Sequence, residues 1–175
     1  MDYVASVLGM SKRTLYEIFT SKDDMLRETI YMQHRLSHDR AVEIFNTSEN
    51  MMHAMSRLID MHLETLDKIG PDFFRDMDER CKHLRPDYDS HNDEMNRHVS
   101  RIIALGVMQG MFRKNCDYEL YLRLLRVQME SIKRMEDYFP PTITISQAFK
   151  TIGEGFLRSI ATQKGIEYLD SLQHN

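Results

Sequence analysis

The chain has 175 residues, of which 42% are hydrophobic and 29% are charged, and its formal net charge is −4. This composition is typical of a folded globular protein and excludes both a disordered chain and a uniformly basic one, so any contact with DNA requires a local concentration of positive charge. We expect neither a membrane span nor a signal peptide, because no apolar run is long enough to cross a bilayer and the first residues lack the basic and apolar regions of a secretory signal.

Two short helices and the start of a third are predicted by residues 4–26. The first helix ends at Gly9, because glycine commonly follows the last apolar turn of a helix. In the second helix, Leu15, Ile18 and Phe19 are spaced i, i+3 and i+4 and predict an inward face. Two helices joined by a tight turn that contains glycine form a helix-turn-helix.

Hydroxyl side chains occupy the positions where the second and third helices begin. Ser11 is placed to cap the second helix, with its oxygen accepting from a backbone N–H two or three residues later. Ser21 and Asp24 have the S-x-x-D spacing of a capping-box variant that opens the third helix at Lys22. These spacings fix the boundaries of both helices.

The remaining face of the second helix is rich in cations and hydroxyl groups. In a helix-turn-helix the second helix enters the major groove and reads base edges with its N-terminal residues. Lys and Arg bind phosphate or guanine, whereas hydroxyl side chains reach phosphates or bases. Amphipathic helix pairs also occur as core hairpins, and the pattern alone leaves both interpretations open. If the segment binds DNA, the contacts are Ser11, Lys12, Arg13, Thr14, Tyr16 and Lys22.

The literal sequence of this segment resembles the DNA-binding signature of the TetR family of bacterial transcriptional repressors. The similarity lies in the string A-x-x-L-G-M-S-K-R-T-L-Y-E-I-F-x-S-K-D-D-M-L, and it covers only the beginning of the chain. The matching positions are Ala5, Leu8, Gly9, Ser11, Lys12, Thr14, Leu15, Tyr16, Phe19, Lys22 and Leu26. The resemblance implies a DNA-binding head on a helical domain that senses a small molecule.

The start of the chain departs from that family pattern. In the TetR family a complete helix precedes the helix-turn-helix and packs across it, whereas here Met1 leads almost directly into the first of the two helices. The gene start lies upstream, or the chain was cut, or this is a truncated relative. We expect residues 1–20 to be mobile or displaced and specific DNA binding to be weak, because apolar side chains of the head would lack a cover.

Long helices are predicted for the rest of the chain, and no strand pattern occurs. The third helix continues to about residue 46, a break with capping residues follows, and the next helix ends at Gly70-Pro71. Further helices are predicted at about 72–81, 92–112, 118–138, 146–162 and 166–172. We therefore expect an all-α protein with a helix-turn-helix head, about residues 1–45, and a larger helical bundle, about residues 46–175, for ligand binding and dimerisation.

A methionine-rich face on the helix after the break suggests a ligand pocket. Helical bundles hold small molecules between their helices, and methionine adapts to varied ligands. For any single residue, an ordinary place in the core is the better interpretation; the family resemblance favours a pocket. Its predicted lining is Met55, Ile59, His62, Leu66, Val107, Met108, Met111 and Met129.

The last two long helices carry apolar residues in numbers that favour a homodimer interface. Gly153 permits close approach of a partner helix, and a two-fold dimer matches a palindromic DNA site. The segment Gly110-Met-Phe-Arg also loosely resembles the TetR-like pattern that ends the corresponding helix. The predicted interface comprises Leu125, Ile132, Phe149, Ile152, Gly153, Phe156 and Ile160.

No metal, cofactor or catalytic site is predicted. The chain lacks a nucleophile elbow, a phosphate-binding loop, a dinucleotide fingerprint and the H-E-x-x-H motif. His34 and His38 are spaced for a metal, but a solvated helix face explains them better. No paired anchor joins the other candidates, which are Cys81, His83, His91 and His98. Two cysteines, Cys81 and Cys116, form no disulfide framework and favour a reducing cytoplasm.

Together these patterns predict a ligand-responsive, dimeric transcriptional repressor. It occupies a palindromic double-stranded DNA operator and is released when a small-molecule inducer shifts the long third helix. The alternative is a helical dimeric protein that senses a ligand or partner and whose vestigial head does not bind DNA. The absence of a first helix favours this alternative.

Overall fold

The computed structural model describes residues 1–69, 73, 76–77, 79, 81, 83, 99–132 and 139–172. Its helices are α1 (Asp2–Val7), α2 (Lys12–Ile18), α3 (Lys22–Thr47), α4 (Met51–Leu66), α5 (99–108), α6 (Tyr118–Ile132), α7 (Ile145–Ile160) and α8 (Gln163–Leu172). Over these residues there is no strand, only an isolated antiparallel bridge between Phe112 and Ala161. The all-α prediction is confirmed.

Capping hydrogen bonds begin both α2 and α3. Ser11 Oγ accepts from the backbone N–H of Thr14 at 3.0 Å, and Ser21 Oγ accepts from that of Asp24 at 3.0 Å. The Asp24 carboxylate accepts from the backbone N–H of Thr20 at 2.8 Å and from its hydroxyl at 2.9 Å. These bonds favour the ionised form and lower the pKa of Asp24. The predicted capping-box variant is confirmed, with the carboxylate reaching the residue before the cap.

Side chains also cap the two helices at the centre of the larger domain. Asn50 Oδ1 accepts from the backbone N–H of His53 at 3.0 Å, so α4 begins at Met51, shortly after the predicted break. Thr144 and Gln147 form a reciprocal capping box at the start of α7. Each cap satisfies backbone donors that a helix leaves without intrahelical partners.

The hydrophobic core surrounds α4. This helix packs against α3, α7 and α8, and α6 packs against the outer side of α7. The most deeply buried large side chains of this core come from several helices and one loop, and they are Met52, Phe112, Leu157 and Ile160. The larger domain is therefore held together by contacts between residues that are far apart in the sequence.

The loop after α5 is fastened to the segment between α7 and α8. Gly110 has a φ of 71°, in the left-handed region that suits glycine. The backbone N–H of Thr162 donates to Met111 O at 2.9 Å, and the Thr162 hydroxyl donates to Gly110 O at 2.7 Å. A Cβ on Gly165 would lie 2.4 Å from Met111 O, so the close approach requires glycine. Gly110-Met-Phe-Arg thus follows the end of α5, as its family resemblance implied.

Several predicted regions lie partly outside the described residues. These include the ends of the helices predicted at 92–112 and 118–138, the polar loop before residue 99 and Gly70-Pro71. Phe73, in the helix predicted at about 72–81, is 38% exposed. Among the described helices, none combines the length and apolarity that a membrane crossing requires.

Candidate nucleic-acid interface

A tight turn at Gly9 joins α1 to α2. Gly9 has a φ of 64°, which L side chains rarely adopt, so the predicted role of this glycine is confirmed. The turn closes when the backbone N–H of Met10 donates to Ala5 O at 3.0 Å. Ala5 and Leu15 are buried where the two helices meet. Within residues 1–20, α1 and α2 thus pack against each other in the arrangement of a helix-turn-helix.

The inward face of α2 is narrower than the sequence predicted. Leu15 is 1% exposed and Phe19 is half-buried, but Ile18 is 59% exposed. The physical reason is that α2 ends at Ile18, and Phe19 continues in an extended conformation with φ −116° and ψ 128°. Ile18 is therefore the last helical residue, and no following turn of α2 covers its side chain. Together with Val7 and Leu8, Ile18 leaves apolar surface exposed on the head.

The predicted DNA contacts share the exposed side of α2 and the start of α3. Lys12, Arg13 and Tyr16 are exposed, and Lys22 is exposed at the first position of α3. Thr14 is half-buried, and its hydroxyl lies 2.8 Å from the Ser11 hydroxyl. Ser11 and Thr14 are therefore hydrogen-bonded within the cap of α2, and Thr14 is the only one of the six predicted contacts that is not exposed. The six predicted DNA contacts are Ser11, Lys12, Arg13, Thr14, Tyr16 and Lys22.

Two cations of this surface already have carboxylate partners. Lys12 Nζ lies 3.0 Å from Asp2 Oδ2, and Arg13 Nε lies 3.0 Å from Glu17 Oε1. The hydrogen bond and charge of Lys12 lower the pKa of the Asp2 carboxyl, and Asp2 in turn raises the pKa of Lys12. Sequence reasoning missed Asp2 because no helical spacing links residues on different helices.

The C-terminal half of α3 is linked to α4 by polar side chains. Arg57 Nη1 donates to the hydroxyls of Thr47 at 2.8 Å and Ser48 at 3.2 Å. Arg40 and Glu64 form an ion pair at 2.7 Å between the two helices. These contacts link α4 to the C-terminal half of α3.

The near end of α3 has a second contact with the larger domain. His83 Nε2 lies 3.0 Å from Asp23 Oδ2, which belongs to the first turn of α3. This contact connects the segment after α4 directly to the helix that supports the head, so the two ends of α3 are both tied to the larger domain.

The predicted pocket residues do not form one site. A Cβ on Gly165 would meet Met52 Cε as well as Met111 O, which places Met111 at the N-terminal end of α4. The other end of α4 is marked by the Ser146 hydroxyl, which donates to Asp67 Oδ1 at 2.5 Å. These ends are about 22 Å apart at the rise of an α-helix. Met111 and Leu66, which were predicted to line one pocket, therefore lie near opposite ends of α4.

Individual pocket residues differ widely in exposure. Met55 is buried, whereas Met108 is 82% exposed and faces away from the core, which removes it from the lining. His62 stacks on Phe149, with ring centroids 5.8 Å apart. Met111 is buried as well. The remaining predicted residues are half-buried, and they are Ile59, Leu66, Val107 and Met129. Of the predicted lining, the end of α4 near His62 keeps Ile59 and Leu66, and Phe149, which was predicted at the dimer interface, stacks on His62 there.

Most of the predicted dimer interface is already used inside one protomer. Side chains at Ile132, Phe156 and Ile160 are buried, and a Cβ on Gly153 would lie 3.0 Å from Ile59 Cδ1. Gly153 therefore admits α4 of its own chain, which corrects the expectation that it admits a partner helix. The other predicted residues, half-buried, are Leu125, Phe149 and Ile152.

A different apolar stripe is exposed on α6. Leu120 is 51% exposed, Leu124 is 53% exposed and Val127 is 67% exposed. Their i, i+4 and i+7 spacing places them on one face of the helix, opposite the side that packs on α7. Leu125, which was predicted at the dimer interface, lies on the other side of α6 and is half-buried.

Within the described ranges, no three His, Cys, Asp or Glu side chains come together as a metal site. His91 and His98 lie outside those ranges.

The described residues form a capped helix-turn-helix, a long connecting helix and a helical bundle around α4, and this arrangement is a TetR-like fold. Its similarity to the solved structure of the ketosteroid transcriptional regulator KstR2 of Mycobacterium tuberculosis has a TM-score of 0.65 and covers 93% of this chain and 84% of that chain. The two sequences are 18% identical, so the likeness concerns the fold. No family model and no curated protein matches the sequence.

Proposed function

We propose that this protein is a transcriptional regulator that binds double-stranded DNA through its head. The head is about residues 1–45, and about residues 46–175 form a ligand-binding and dimerisation domain. The observation that carries the proposal is the capped helix-turn-helix, in which α2 exposes Lys12, Arg13 and Tyr16 beside Lys22. KstR2, which shares the fold, is a transcriptional regulator.

DNA binding is tested by replacing Lys22, the exposed first residue of α3, which forms no ion pair with another described residue. Lys22→Ala removes one phosphate contact, so affinity falls alike for all DNA sequences and the salt slope drops by roughly one unit. Tyr16→Phe also weakens binding uniformly, because a hydroxyl contact to phosphate carries no sequence information. Arg13→Ala instead changes sequence preference. Electrophoretic mobility shifts over a salt series measure all three effects.

Lys114→Ala is the matched control for charge. Lys114 is an exposed cation in the loop before α6, so its removal changes the net charge equally without touching the head. Unchanged affinity of Lys22→Ala and Tyr16→Phe for every DNA tested would contradict the assignment of this surface.

The proposed regulator acts as a homodimer through the exposed face of α6. A helix that is apolar on both sides is normally buried on both sides, and only one side of α6 packs on α7. A second copy of the chain would cover Leu120, Leu124 and Val127. Two heads related by a two-fold axis would then meet half-sites of a palindromic operator about 34–36 Å apart.

Leu124→Glu tests this interface, because it places a charge in the proposed contact while leaving the protomer core intact. We expect monomers in sedimentation equilibrium and weaker operator binding. Gln33→Glu adds the same charge at an exposed position on α3, away from the stripe, and should stay dimeric. Phe156→Glu is a poor test, because Phe156 is buried within the protomer and its replacement would unfold the chain. A wild-type protein that is monomeric at micromolar concentration would refute the dimer.

We also propose that an apolar small molecule binds beside His62 and acts as the inducer. His62 Nδ1 lies 2.7 Å from Leu58 O, so this nitrogen carries the proton in the neutral ring and Nε2 is the acceptor. A ligand with an apolar body and a hydroxyl group would match Nε2 and the adjoining Ile59, Leu66 and Phe149. KstR2 is named for ketosteroids. Binding would displace α4 and, through Arg40–Glu64, the connecting helix α3.

A pair of related steroids tests this chemistry. A 3-hydroxysteroid should raise the thermal midpoint more than its 3-keto counterpart, because only the hydroxyl donates to Nε2. His62→Phe keeps the ring stacked on Phe149 but removes the acceptor, so it should abolish the difference between the two steroids. Equal responses in wild type and His62→Phe would exclude the assigned hydrogen bond. If steroid binding leaves operator affinity unchanged, the ligand is not an inducer.

The alternative function is a helical sensor whose head does not bind DNA. Two observations favour it: the cations of α2 are both paired with acids, and Val7, Leu8 and Ile18 leave apolar surface exposed on the head. The distinguishing measurement is binding to any duplex at low salt, where sequence-independent electrostatic attraction is strongest.

A further inference from the structure

The ion pair between Lys12 and Asp2 bridges the two helices of the helix-turn-helix. Lys12 is the first residue of α2 and Asp2 is the first residue of α1. Lys12 Nζ lies 3.0 Å from Asp2 Oδ2, and the two side chains are 51% and 81% exposed. A DNA phosphate oxygen that bound this ammonium would lie at a similar distance from Lys12 Nζ. Asp2 therefore takes one of the three N–H donors of Lys12 and places a negative charge beside the ammonium that a DNA phosphate would approach.

The location of Lys12 makes an anion at this point favourable. The N-terminus of a helix carries a partial positive charge, so a cation there is unfavourable unless an anion accompanies it. Asp2 supplies that anion when no DNA is present, and a phosphate would supply it in a complex. Both cannot pair closely with the ammonium without bringing two negative charges together.

We propose that Asp2 competes with the DNA backbone for Lys12 and thereby lowers the affinity of the head for DNA of every sequence. This inference rests on the proposed DNA-binding function. In the wild-type complex Lys12 stays paired with Asp2, so one cation of α2 makes no phosphate contact. Since non-specific binding is almost wholly electrostatic, Asp2 lowers it while leaving base-edge contacts to other residues.

Glu17, the other acid beside α2, is not such a competitor. Arg13 gives only its Nε to Glu17, and its side chain is 89% exposed. A guanidinium has five N–H donors in a planar fork, so its two terminal nitrogens still face a nucleic acid. The pair also lies within one helix at i, i+4 spacing and moves with α2 as a unit. Of the two acids that pair with cations of α2, Asp2 is therefore assigned as the competitor.

The test is Asp2→Asn in the full chain, with affinity for a random duplex measured over a salt series. Asparagine has the same shape and can still accept a hydrogen bond from Lys12, so the link between α1 and α2 persists without its charge. We expect binding about two- to fivefold tighter, the range that releasing one exposed ion pair allows. The salt slope should become steeper by about one unit, because Lys12 now releases a counterion.

Two further variants separate the mechanism from a change in net charge. Glu167→Gln removes one carboxylate from α8, on the larger domain, and should leave affinity unchanged. In Asp2→Asn combined with Lys12→Gln, the gain should vanish relative to Lys12→Gln alone, because Asp2 acts through Lys12. A gain that persists without Lys12 would mean that Asp2 repels DNA directly, and it would overturn the competition.

A second readout follows the Asp2 carboxyl by NMR. Lys12 lowers the pKa of Asp2, so Lys12→Gln should raise that pKa toward its ordinary value. Adding DNA to wild type should leave the Asp2 pKa low if Lys12 stays with Asp2. If wild type binds DNA but Asp2→Asn has the same affinity and salt slope, this inference fails and the proposed function stands. If no variant binds any duplex at low salt, the proposed function fails and the inference fails with it.

Discussion

The head and the larger domain are stabilised in different ways. The larger domain buries Met52, Leu157 and Ile160 completely among helices that are distant in the sequence. In the helix pair of the head, the buried residues are Ala5 and Leu15. Local interactions therefore contribute a larger share of the stability of the head. The left-handed Gly9 turn and the Lys12–Asp2 ion pair join α1 to α2, and two serine caps begin α2 and α3.

This difference shows how stability is distributed along the molecule. A region with few buried contacts opens with a smaller free energy than a region with many. Short helices are also marginal without tertiary packing, since they gain few hydrogen bonds for each residue that they fix. We therefore expect the head to open independently while the bundle around α4 remains folded. The predictions that follow test this expectation.

The largest effect is expected from Leu157→Ala in α7. Leu157 is 0% exposed, so truncation removes apolar contacts and leaves a cavity at the centre of the core. The free energy of unfolding should fall by about 2–5 kcal/mol, as measured by urea denaturation with far-UV circular dichroism. Leu36→Ala is the matched control on α3, where the side chain is 54% exposed, and it should change stability by less than about 0.5 kcal/mol. Similar losses in both variants would contradict the assigned core.

Leu15→Ala should remove the head without unfolding the larger domain. Leu15 is 1% exposed and supplies much of the apolar contact between α1 and α2. Hydrogen exchange of amides 4–19 should become rapid, while exchange of amides 99–108 stays as in wild type. In wild type itself, amides 4–19 should already exchange faster. If Leu15→Ala accelerates exchange in both regions equally, head and larger domain form one cooperative unit.

The same difference explains which features the sequence predicted. The caps at Ser11, Ser21 and Asp24 and the turn at Gly9 depend on residues within a few positions of each other, so spacing was sufficient to find them. The helix boundaries of α3 followed from similar local signals, whereas α5 ends at residue 108, before the predicted end at about 112. These features also carried the resemblance to a TetR-like head, and the fold confirms it.

Features that depend on packing were not predicted. On α6, both faces are apolar, and sequence spacing alone does not say whether Leu124 or Leu125 faces the core. The position of Gly153 against Ile59 and the separation of Met111 from Leu66 are set by how α4 lies between other elements. Asp2 and Lys12 meet only because the Gly9 turn brings α1 beside α2. Each of these outcomes requires the three-dimensional arrangement.

Removing helix caps should give intermediate effects that differ between the two regions. Ser11→Ala and Thr144→Ala each delete an N-cap, a loss of about 0.5–2 kcal/mol. Thr144→Ala should lower the global unfolding midpoint, because α7 packs against both α4 and α6. Ser11→Ala should leave that midpoint nearly unchanged and accelerate exchange only in the head.

Ser11→Asp separates the cap from DNA binding. Aspartate caps a helix as well as serine does, so protection of the head should persist. Its negative charge on the proposed DNA surface should nevertheless weaken binding to every duplex. A head that loses protection in Ser11→Asp would show that the serine hydroxyl has a role beyond capping.

The smallest effect is expected at Asp60, on the exposed edge of α4 near α7. Partial burial raises the pKa of the Asp60 carboxyl, Lys150 opposes this, and Glu154 and Glu64 add to it. Because the folded-state pKa exceeds the unfolded value of 3.8, the proton binds more tightly in the folded state. The contribution of this tighter proton binding to the free energy of unfolding is fully present below pH 3.8 and is lost as the pH rises through the raised pKa.

Asp60→Asn removes this titration, so the variant should be more stable than wild type at pH 7. The gain should be less than about 0.5 kcal/mol, because solvent screens an exposed carboxylate. It should shrink as the pH falls toward 3.8, where wild-type Asp60 also becomes neutral. Glu43→Gln removes the same charge from an exposed position on α3 and controls for net charge. A gain of equal size at pH 7 and pH 3 would show that the effect comes from the amide group and not from the proton.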